Sequence, residues 1–173
     1  LAYLKDCKNL KYIGLKYTSV TDAGLAHFKN CKDLEGLDLG GLNVTDEGLA
    51  NFKNCKGLNG LFLNGTRVTD VGLAHFKDCK NLTIFHVVGT QVTDAGLAYF
   101  KDCKKLTILY IEKTKITDLS LLKGMPLKEL WCDFLPERDA EILRSIKTLE
   151  TINGQPAAEF WKDVEQKLSL IHI

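Results

Sequence analysis

The sequence predicts an α/β solenoid, a right-handed stack of short units that each contribute one strand and one helix. Three observations support this fold class: the chain repeats every 24 residues, each unit opens with alternating apolar residues, and each closes with apolar residues at helical spacing. A single unit of this length cannot bury its own apolar face, so neighbouring units must stack to form a continuous core.

The repeat is clearest in the cysteines and leucines. The cysteines that recur at this interval are Cys7, Cys31, Cys55, Cys79 and Cys103. Full units begin at Leu10, Leu34, Leu58 and Leu82. Shortened units begin at Leu106 and Leu127, and a last strand-like piece begins at Leu149.

The first part of each unit has the pattern L-x-x-L-x-L, as in Leu34, Leu37 and Leu39. Alternation of apolar and other residues predicts a short strand with one buried face. Parallel strands pair at about 4.8 Å, whereas helices are about 10 Å wide. The stack is therefore expected to curve, with the parallel sheet on its concave side and the helices on its convex side.

The second part of each unit predicts a helix with a defined start. Thr69 and Asp70, within V-T-D-x-G-L, are good N-cap residues, and the carboxylate also faces the positive end of the helix dipole. Leu73, Phe76 and Cys79 follow at intervals of three residues, so they share a face that points into the core. The glycine of this segment is expected to let the helix pack closely against the strand.

These residues resemble the leucine-rich-repeat signature L-x-x-L-x-L-x-x-N/C-x-L over residues 1 to about 152. The V-T-D-x-G-L segment followed by a cysteine resembles the cysteine-containing, ribonuclease-inhibitor-like subfamily. One departure is that the usual Asn or Cys is replaced by Thr18, Thr66, Thr90 and Thr114, and by Leu42 in one unit. A threonine hydroxyl is expected to take over the bond to a loop amide.

The two ends differ from the middle of the chain. Residues 1–7 align with residues 25–31, which predicts a helix of an incomplete first unit and a piece of a longer protein. Residues 153–173 are expected to form a helical cap with an apolar face, formed by Phe160, Trp161, Val164 and Leu168. Residues 116–161 are also similar to the ends of repeat regions in large bacterial multidomain proteins, including predicted serine/threonine kinases.

Composition argues against several classes of function. A net charge of +1 gives no field that would favour nucleic acid or an anionic membrane, and no apolar run is long enough to span a bilayer. No glycine-rich phosphate-binding loop occurs, and the four histidines are scattered, at His27, His75, His86 and His172. The sequence therefore predicts no enzyme activity, no cofactor and no metal site.

The cysteines are expected to be core thiols. Placed on successive helices about 10 Å apart, they would be too distant for disulfides, and no C-x-x-C motif or nearby histidine completes a zinc site. Unpaired cysteines at this density favour a reducing cytoplasm. The recurring lysines, and the aspartates Asp22, Asp46, Asp70, Asp94 and Asp118, are expected to form solvated stripes, with an anionic partner along the helices as the alternative.

The candidate binding site lies on the concave face, where residues alternate with the buried leucines. The central outward positions are Gly14, Asp38, Phe62, His86, Tyr110 and Trp131, so four rings follow one another across neighbouring strands. Ile84, Val88 and Ile108 flank these rings. Exposed aromatic and apolar area predicts a site for a protein or peptide, but cross-strand support of the sheet, or cover by another domain, explains the same pattern.

Toward the N-terminus the same face carries Gly14, Gly36, Gly40 and Gly60, which are expected to leave bare backbone. A ligand there would contact Lys11, Lys16, Tyr17 and Asp38. Together these observations predict a non-catalytic recognition module, monomeric as an isolated fragment. The alternatives are a spacer or regulatory arm of a kinase-like multidomain enzyme and, from the family resemblance, an adaptor arm like those of F-box-type ubiquitin ligase subunits.

Overall fold

A computed structural model of the chain describes residues 7–171, with side chains as far as Ser169. The predicted helix of the incomplete first unit, residues 1–6, lies outside the described residues. The strands are β1 (Tyr12–Gly14), β2 (Gly36–Asp38), β3 (Gly60–Phe62), β4 (Ile84–His86), β5 (Ile108–Tyr110), β6 (Glu129–Trp131), β7 (Thr151–Ile152) and β8 (Gln155–Pro156). The α-helices are α1 (Asp22–Leu25), α2 (Asp46–Leu49), α3 (Asp70–Leu73), α4 (Asp94–Ala98), α5 (Pro136–Ser145) and α6 (Ala157–Ile171).

The strands form one sheet in chain order, as the predicted α/β solenoid with a parallel sheet requires. β1 to β7 pair in parallel, and only β8 runs antiparallel to its neighbour. From β1 to β5 the register follows the sequence period, so that Leu37 pairs with Leu61 and Phe85 pairs with Leu109. Equivalent positions of successive units therefore lie side by side, and each position of the repeat becomes a row across the sheet.

The core is built from two such sets of rows. The central residue of each of β1 to β6 points toward the helices and is buried, as are the phenylalanines Phe28, Phe52, Phe76 and Phe100 that follow α1 to α4. Leu61 and Leu109 are both fully buried. Burying a leucine side chain stabilises a fold by about 1.5 to 3 kcal/mol, so these rows hold the stack together.

The convex elements are shorter than the sequence predicted. Each of α1 to α3 makes a single α-helical turn and continues as a 3-10 turn, at Ala26–Phe28, Ala50–Phe52 and Ala74–Phe76. The cysteine of each unit lies beyond that turn. A 3-10 turn is narrower than an α-helix, which lets successive units approach each other more closely than continuous α-helices would allow.

The aspartates that begin these helices join neighbouring units. The carboxylate of Asp46 accepts hydrogen bonds from the Thr69 N–H at 2.8 Å and from the Thr69 hydroxyl at 2.7 Å. Asp70 binds Thr93 with the same two distances. Asp22 and Asp94 make equivalent pairs of bonds to Thr45 and Thr117, at 2.8 to 3.1 Å. We call this series the aspartate ladder.

The aspartate ladder corrects the predicted solvated stripe of carboxylates. These four aspartates are half-buried and accept bonds from the next unit, whereas Asp118, at the end of the series, is exposed and accepts the Ser120 N–H. The sequence predicted that the threonine and the aspartate of the T-D pair would both cap the helix. In three units the threonine alone caps it: Thr69, for example, accepts the Val71 N–H at 3.2 Å.

The glycine of the repeated T-D-x-G-L segment makes room for the aspartate ladder. A Cβ added to Gly72 would overlap the Asp46 carboxylate and lie 2.9 Å from the Leu49 side chain, and Gly96 would collide with Asp70 in the same way. The predicted reason for this glycine, packing of helix on strand, is therefore wrong. It allows close approach between one helix start and the carboxylate of the preceding unit.

The threonines that replace the usual Asn or Cys also act differently from the prediction. The hydroxyls of Thr66 and Thr90 donate to the carbonyl oxygens of Leu63 and Val87, three residues earlier, at 2.6 and 2.7 Å. Among these threonines only Thr114 also accepts a loop amide, that of Ile116, at 3.3 Å. The hydroxyls of Thr18, Thr66, Thr90 and Thr114 therefore close the turns after β1, β3, β4 and β5 by bonding to the chain's own carbonyl groups.

The C-terminal residues pack against the last units of the stack. Phe160 and Val164 of α6 are buried, and Phe134 meets the rings of Phe160 and Trp161 edge to face at 5.0 and 5.9 Å. Arg144 of α5 lies 4.3 Å over the Trp161 ring. No helix of the described residues is long and apolar enough to cross a membrane.

Replacing Leu109 with alanine should lower the free energy of unfolding by about 2 to 5 kcal/mol, because it leaves a cavity in a fully buried row. The matched control is Leu135→Ala, because Leu135 is 52% exposed and its replacement should lower the free energy of unfolding by well under 1 kcal/mol. Urea unfolding measures both. A loss at Leu109 no larger than the loss at Leu135 would contradict the strand register.

Candidate functional site

Four aromatic side chains form a continuous row on the concave face, and we call them the aromatic row. Phe62, His86, Tyr110 and Trp131 are the last residues of β3, β4, β5 and β6, and each pairs in register with the next. Each alternates with a buried residue, so its side chain lies on the face opposite the helices. All four are half-buried. The structure thus brings these predicted site residues together.

The rings of the aromatic row contact one another. His86 and Tyr110 stack with centroids 3.9 Å apart and planes 4° from parallel. Phe62 meets His86 edge to face at 4.9 Å, and Tyr110 lies 5.6 Å from Trp131. Because stacked rings turn their faces toward each other along the row, it is the edges of His86 and Tyr110 that face outward. The row therefore presents a ridge of ring edges.

The C-terminal end of the aromatic row is held in place by Glu129 and a turn. The Tyr110 hydroxyl and, at 3.3 Å, the Trp131 Nε1 both donate to Glu129 Oε1. Burial and the bond to Glu129 raise the pKa of Tyr110 to about 12. A Cβ on Gly154 would lie 2.9 Å from the Trp131 ring, so the turn after β7 covers one side of that ring. The sequence analysis did not identify Glu129, because its role depends on where the Tyr110 and Trp131 side chains lie.

His86 is the most enclosed polar group of the site. Its Nε2 atom is buried and has no hydrogen-bond partner among the described residues. Burial lowers the pKa of His86 to about 4, although the charges of Glu129 and Asp38 act in the opposite direction. The imidazole is therefore neutral near pH 7 and serves as an aromatic member of the row.

Apolar side chains lie on both sides of the aromatic row, as predicted. Ile84 and Ile108 are paired on β4 and β5, two residues before the rings, and Val88 follows two residues after His86. All three are half-buried. The Val88 N–H donates to Asn64 Oδ1 at 2.9 Å, which fixes the chain after β4 against the preceding unit. The structure thus forms one apolar patch from all seven candidate residues.

The N-terminal half of the face is less bare than the glycines indicated. The Tyr12 ring lies over Gly36 and beside Gly14, and the Tyr17 ring lies over Gly41, where an added Cβ would overlap it. Lys16 is 4.8 Å above the Tyr17 ring, and both tyrosines are largely exposed. Glycine here permits close approach of the chain's own rings. The expectation of open backbone is therefore wrong at Gly14 and Gly36.

The cysteines form a ladder of thiols on the core side. The Sγ atoms of Cys55 and Cys79 lie 3.1 and 3.3 Å from the carbonyl oxygens of Cys31 and Cys55, and Cys103 continues the series at 3.7 Å. The predicted separation of about 10 Å is therefore wrong, because the cysteines follow the helices rather than lying on them. All six cysteines have free thiols, and burial raises the pKa of Cys55 to about 11.

Within residues 7–171, no group of three or more His, Cys, Asp or Glu side chains is arranged to hold a metal ion. The enclosed thiols point at backbone carbonyl groups, and Asp139 is fully buried in an ion pair with Arg138 at 2.6 Å. Burial makes the thiols poor nucleophiles because it disfavours the thiolate.

Comparison with known proteins identifies the repeat and its relatives. Residues 3–120 match the profile of the BspA type leucine-rich-repeat region in six copies. None of the curated proteins compared matches the chain.

Three solved structures share the fold. An internalin (inlF) from Listeria monocytogenes aligns with a TM-score of 0.65 at 17% identity, covering 78% of this chain and 38% of that one. The plant peptide hormone receptor RGFR1, solved in complex with RGF2, aligns with a TM-score of 0.58 at 16% identity over 88% of this chain and 25% of the receptor. Internalin C2 (inlC2) of L. monocytogenes gives 0.53 at 19% identity, covering 82% and 79%.

The charge state of His86 should make stability depend on pH. The pKa of an exposed imidazole is 6.5, and burial lowers the pKa of His86 to about 4 in the folded protein. Between these two pH values the unfolded chain therefore binds more protons than the folded protein. Stability should therefore fall as pH drops from about 6.5 toward 4. Discounted for partial exposure to solvent, the loss should be about 1 to 2 kcal/mol.

The variant His86→Phe keeps a ring in the row and removes this titration. Urea unfolding of both proteins at pH 7.5 and pH 4.5 should show the wild type losing stability relative to the variant at the lower pH. Parallel losses in the two proteins would show that His86 is not held neutral.

Proposed function

Because the chain belongs to the BspA-type leucine-rich-repeat family, a class of protein typical of protein-binding modules, we propose that its concave face binds a protein or peptide segment without catalysis. One observation carries this proposal: the aromatic row and its flanking aliphatic residues form a single half-buried apolar patch on the sheet face opposite the helices. Aromatic residues contribute disproportionately to the free energy of protein association.

The contacts within the site favour binding because they fix it in advance. The Tyr110 hydroxyl is held by Glu129, the His86 ring is stacked, and Trp131 is backed by the turn at Gly154. Side chains that are already ordered lose little conformational entropy when a partner arrives. Cross-strand support of the sheet, the alternative reading of these rings, is thus compatible with binding, since the same contacts serve both.

A peptide is a suitable size of partner. The row extends over four strands, so it is roughly 14 Å long at the usual strand spacing, which matches four or five residues of extended chain. The similarity to a receptor solved with RGF2 supports this choice at the level of fold. The chain spans about a quarter of that receptor and 38% of the internalin (inlF).

The finer predictions stay proposals. We propose that residues 153–173 cap the stack, which the contacts of Phe160 and Val164 support. Six free thiols support a reducing cytoplasm. A ribonuclease-inhibitor-like subfamily, a bacterial kinase-like context and a monomeric state are proposals drawn from sequence. The alternatives are a spacer arm and an F-box-type adaptor arm. A spacer arm differs from a binding module in its experimental test, because a spacer selects no ligand on the concave face.

The function is tested by selecting peptides from a random dodecapeptide phage library on the protein. In the double variant Ile84→Thr, Ile108→Thr, binding of the selected peptides should weaken about tenfold or more, because both changes replace apolar area with a hydroxyl while keeping a β-branched strand residue. The matched control is Val71→Thr on the convex side, where Val71 is 67% exposed. Fluorescence polarisation measures the affinities.

This pair of variants is milder than Tyr110→Ala with Trp131→Ala, which would also abolish binding but uncover His86. If the peptides bind the isoleucine variant as tightly as the control, the concave face is not the site. If no peptide is enriched at all, the spacer arm is the better account.

A further inference from the structure

The concave face contains a cleft that the aromatic row does not fill. Its apolar lining is formed by the side chains of Tyr12, Phe62 and Ile84 with Gly36 and Gly60, and its remaining lining residues are Lys11, Glu35 and Asn59. Its volume is about 340 Å³, enough for one large apolar side chain. Tyr12 is 57% exposed, so this side of the cleft is open to a partner.

Glycine at these two positions leaves room for the Tyr12 and Phe62 rings. A Cβ at Gly36 would overlap the Tyr12 ring, and one at Gly60 would lie 3.0 Å from Phe62 Cε2. At the equivalent position of the next two strands stand Ile84 and Ile108, which raise the surface. The cleft is therefore a local depression beside the apolar patch, and it is closed on the C-terminal side by Ile84.

Charge on the concave face is mostly negative, although the whole chain has a net charge of +1. The outward positions of β1 to β6, together with the second residue after each strand, carry four carboxylates and one ammonium group: Asp38, Glu112, Glu129, Asp133 and Lys16. His86 adds no charge near neutral pH. Just before the strands, the lysines pair with glutamates, Lys11 with Glu35 at 3.0 Å and Lys128 with Glu150 at 2.9 Å.

Two of these carboxylates lie beside each other with no cation bound to them. Glu112 and Asp133 occupy equivalent positions after β5 and β6, and Asp133 Oδ2 accepts the Lys113 N–H at 2.7 Å. Burial and the charge of Asp133 raise the pKa of Glu112, whereas a backbone hydrogen bond and the charge of Lys113 act in the opposite direction. Within residues 7–171, neither carboxylate forms an ion pair. Adjacent carboxylates favour an approaching cation.

We propose that the partner segment is extended and basic, and that it places an apolar side chain in the Tyr12–Phe62 cleft and a lysine or arginine against Glu112 and Asp133. This inference rests on the proposed function and names the chemical class of the partner. The cleft and the carboxylates are separated by about three strands across the sheet and by two rows of outward positions along the strands, roughly 20 Å. Five or six residues of extended chain span that distance.

The ridge of ring edges lies between the two anchors. A segment that crosses the strands diagonally would therefore bury its intervening residues on Tyr110 and His86. The recognised motif is an apolar residue and a basic residue that lie five or six positions apart in the partner, in either order. Its binding should weaken as salt is raised, since the basic anchor is partly exposed.

The sequences of the peptides selected from the dodecapeptide library test this inference directly. We expect enrichment of a lysine or arginine five or six positions from an aromatic or large aliphatic residue. Peptides that depend on Ile84 and Ile108 but are neutral or acidic would overturn the basic motif and leave the proposed function standing. Peptides that do not depend on these isoleucines, or no enriched peptides, would overturn both.

Two variants separate the anchors, using one enriched peptide made synthetically. Glu112→Gln with Asp133→Asn should weaken its binding about tenfold, because it removes both charges and keeps the side-chain size. Tyr12→Ser should weaken it by a similar factor, and replacing the basic residue of the peptide by glutamine should remove the effect of the first variant. The matched control, Glu47→Gln with Asp102→Asn on the convex side, should leave binding unchanged.

Thermal unfolding of each variant shows whether it folds as the wild type does. Equal affinity of the peptide for the carboxylate variant and for the control would overturn the proposed basic anchor. Equal affinity for the Tyr12 variant would overturn the cleft as the apolar anchor.

Discussion

The structure depends on a hydrogen-bonded contact between neighbouring units, in which the aspartate of one helix start binds the threonine of the next. Two bonds at 2.7 to 2.8 Å fix Thr69 to Asp46, and the glycine two residues after each following aspartate leaves space for the carboxylate. Hydrophobic burial drives the stacking, but it is not directional. The aspartate ladder supplies direction, since a shift of one residue would lose both bonds and bury an unpaired carboxylate.

This register is what creates the concave surface. When equivalent residues lie side by side, a ring at the last strand position of successive units must contact the ring beside it, as His86 and Tyr110 do at 3.9 Å. The same constraint places Glu112 next to Asp133 and leaves Gly36 beside Gly60 as a depression. Each row is therefore a separate surface, and its chemistry can change from unit to unit while the core stays constant.

The sequence predicted the strands and the buried leucine and phenylalanine rows, because the 24-residue period assigns these residues to the core. It predicted the aromatic row by the same rule. The sequence could not predict the hydrogen bonds between units. The pattern of residues alone is equally compatible with an Asp70 carboxylate that caps its own helix and with one that accepts bonds from the next unit. It also missed the Tyr12–Phe62 cleft and Glu129, because side-chain conformation decides where a ring lies and which carboxylate receives a hydroxyl.

The account is tested most directly by the stability of Asp70→Ala compared with Asp102→Ala. Asp70 accepts two bonds from Thr93, whereas the exposed side chain of Asp102 contacts no hydrogen-bond donor within the described residues. The first change should lower the free energy of unfolding in urea by about 2 to 4 kcal/mol, because it leaves two donors unpaired, and the second by less than about 0.5 kcal/mol. Equal losses would contradict the claim that the aspartate ladder holds the units in register.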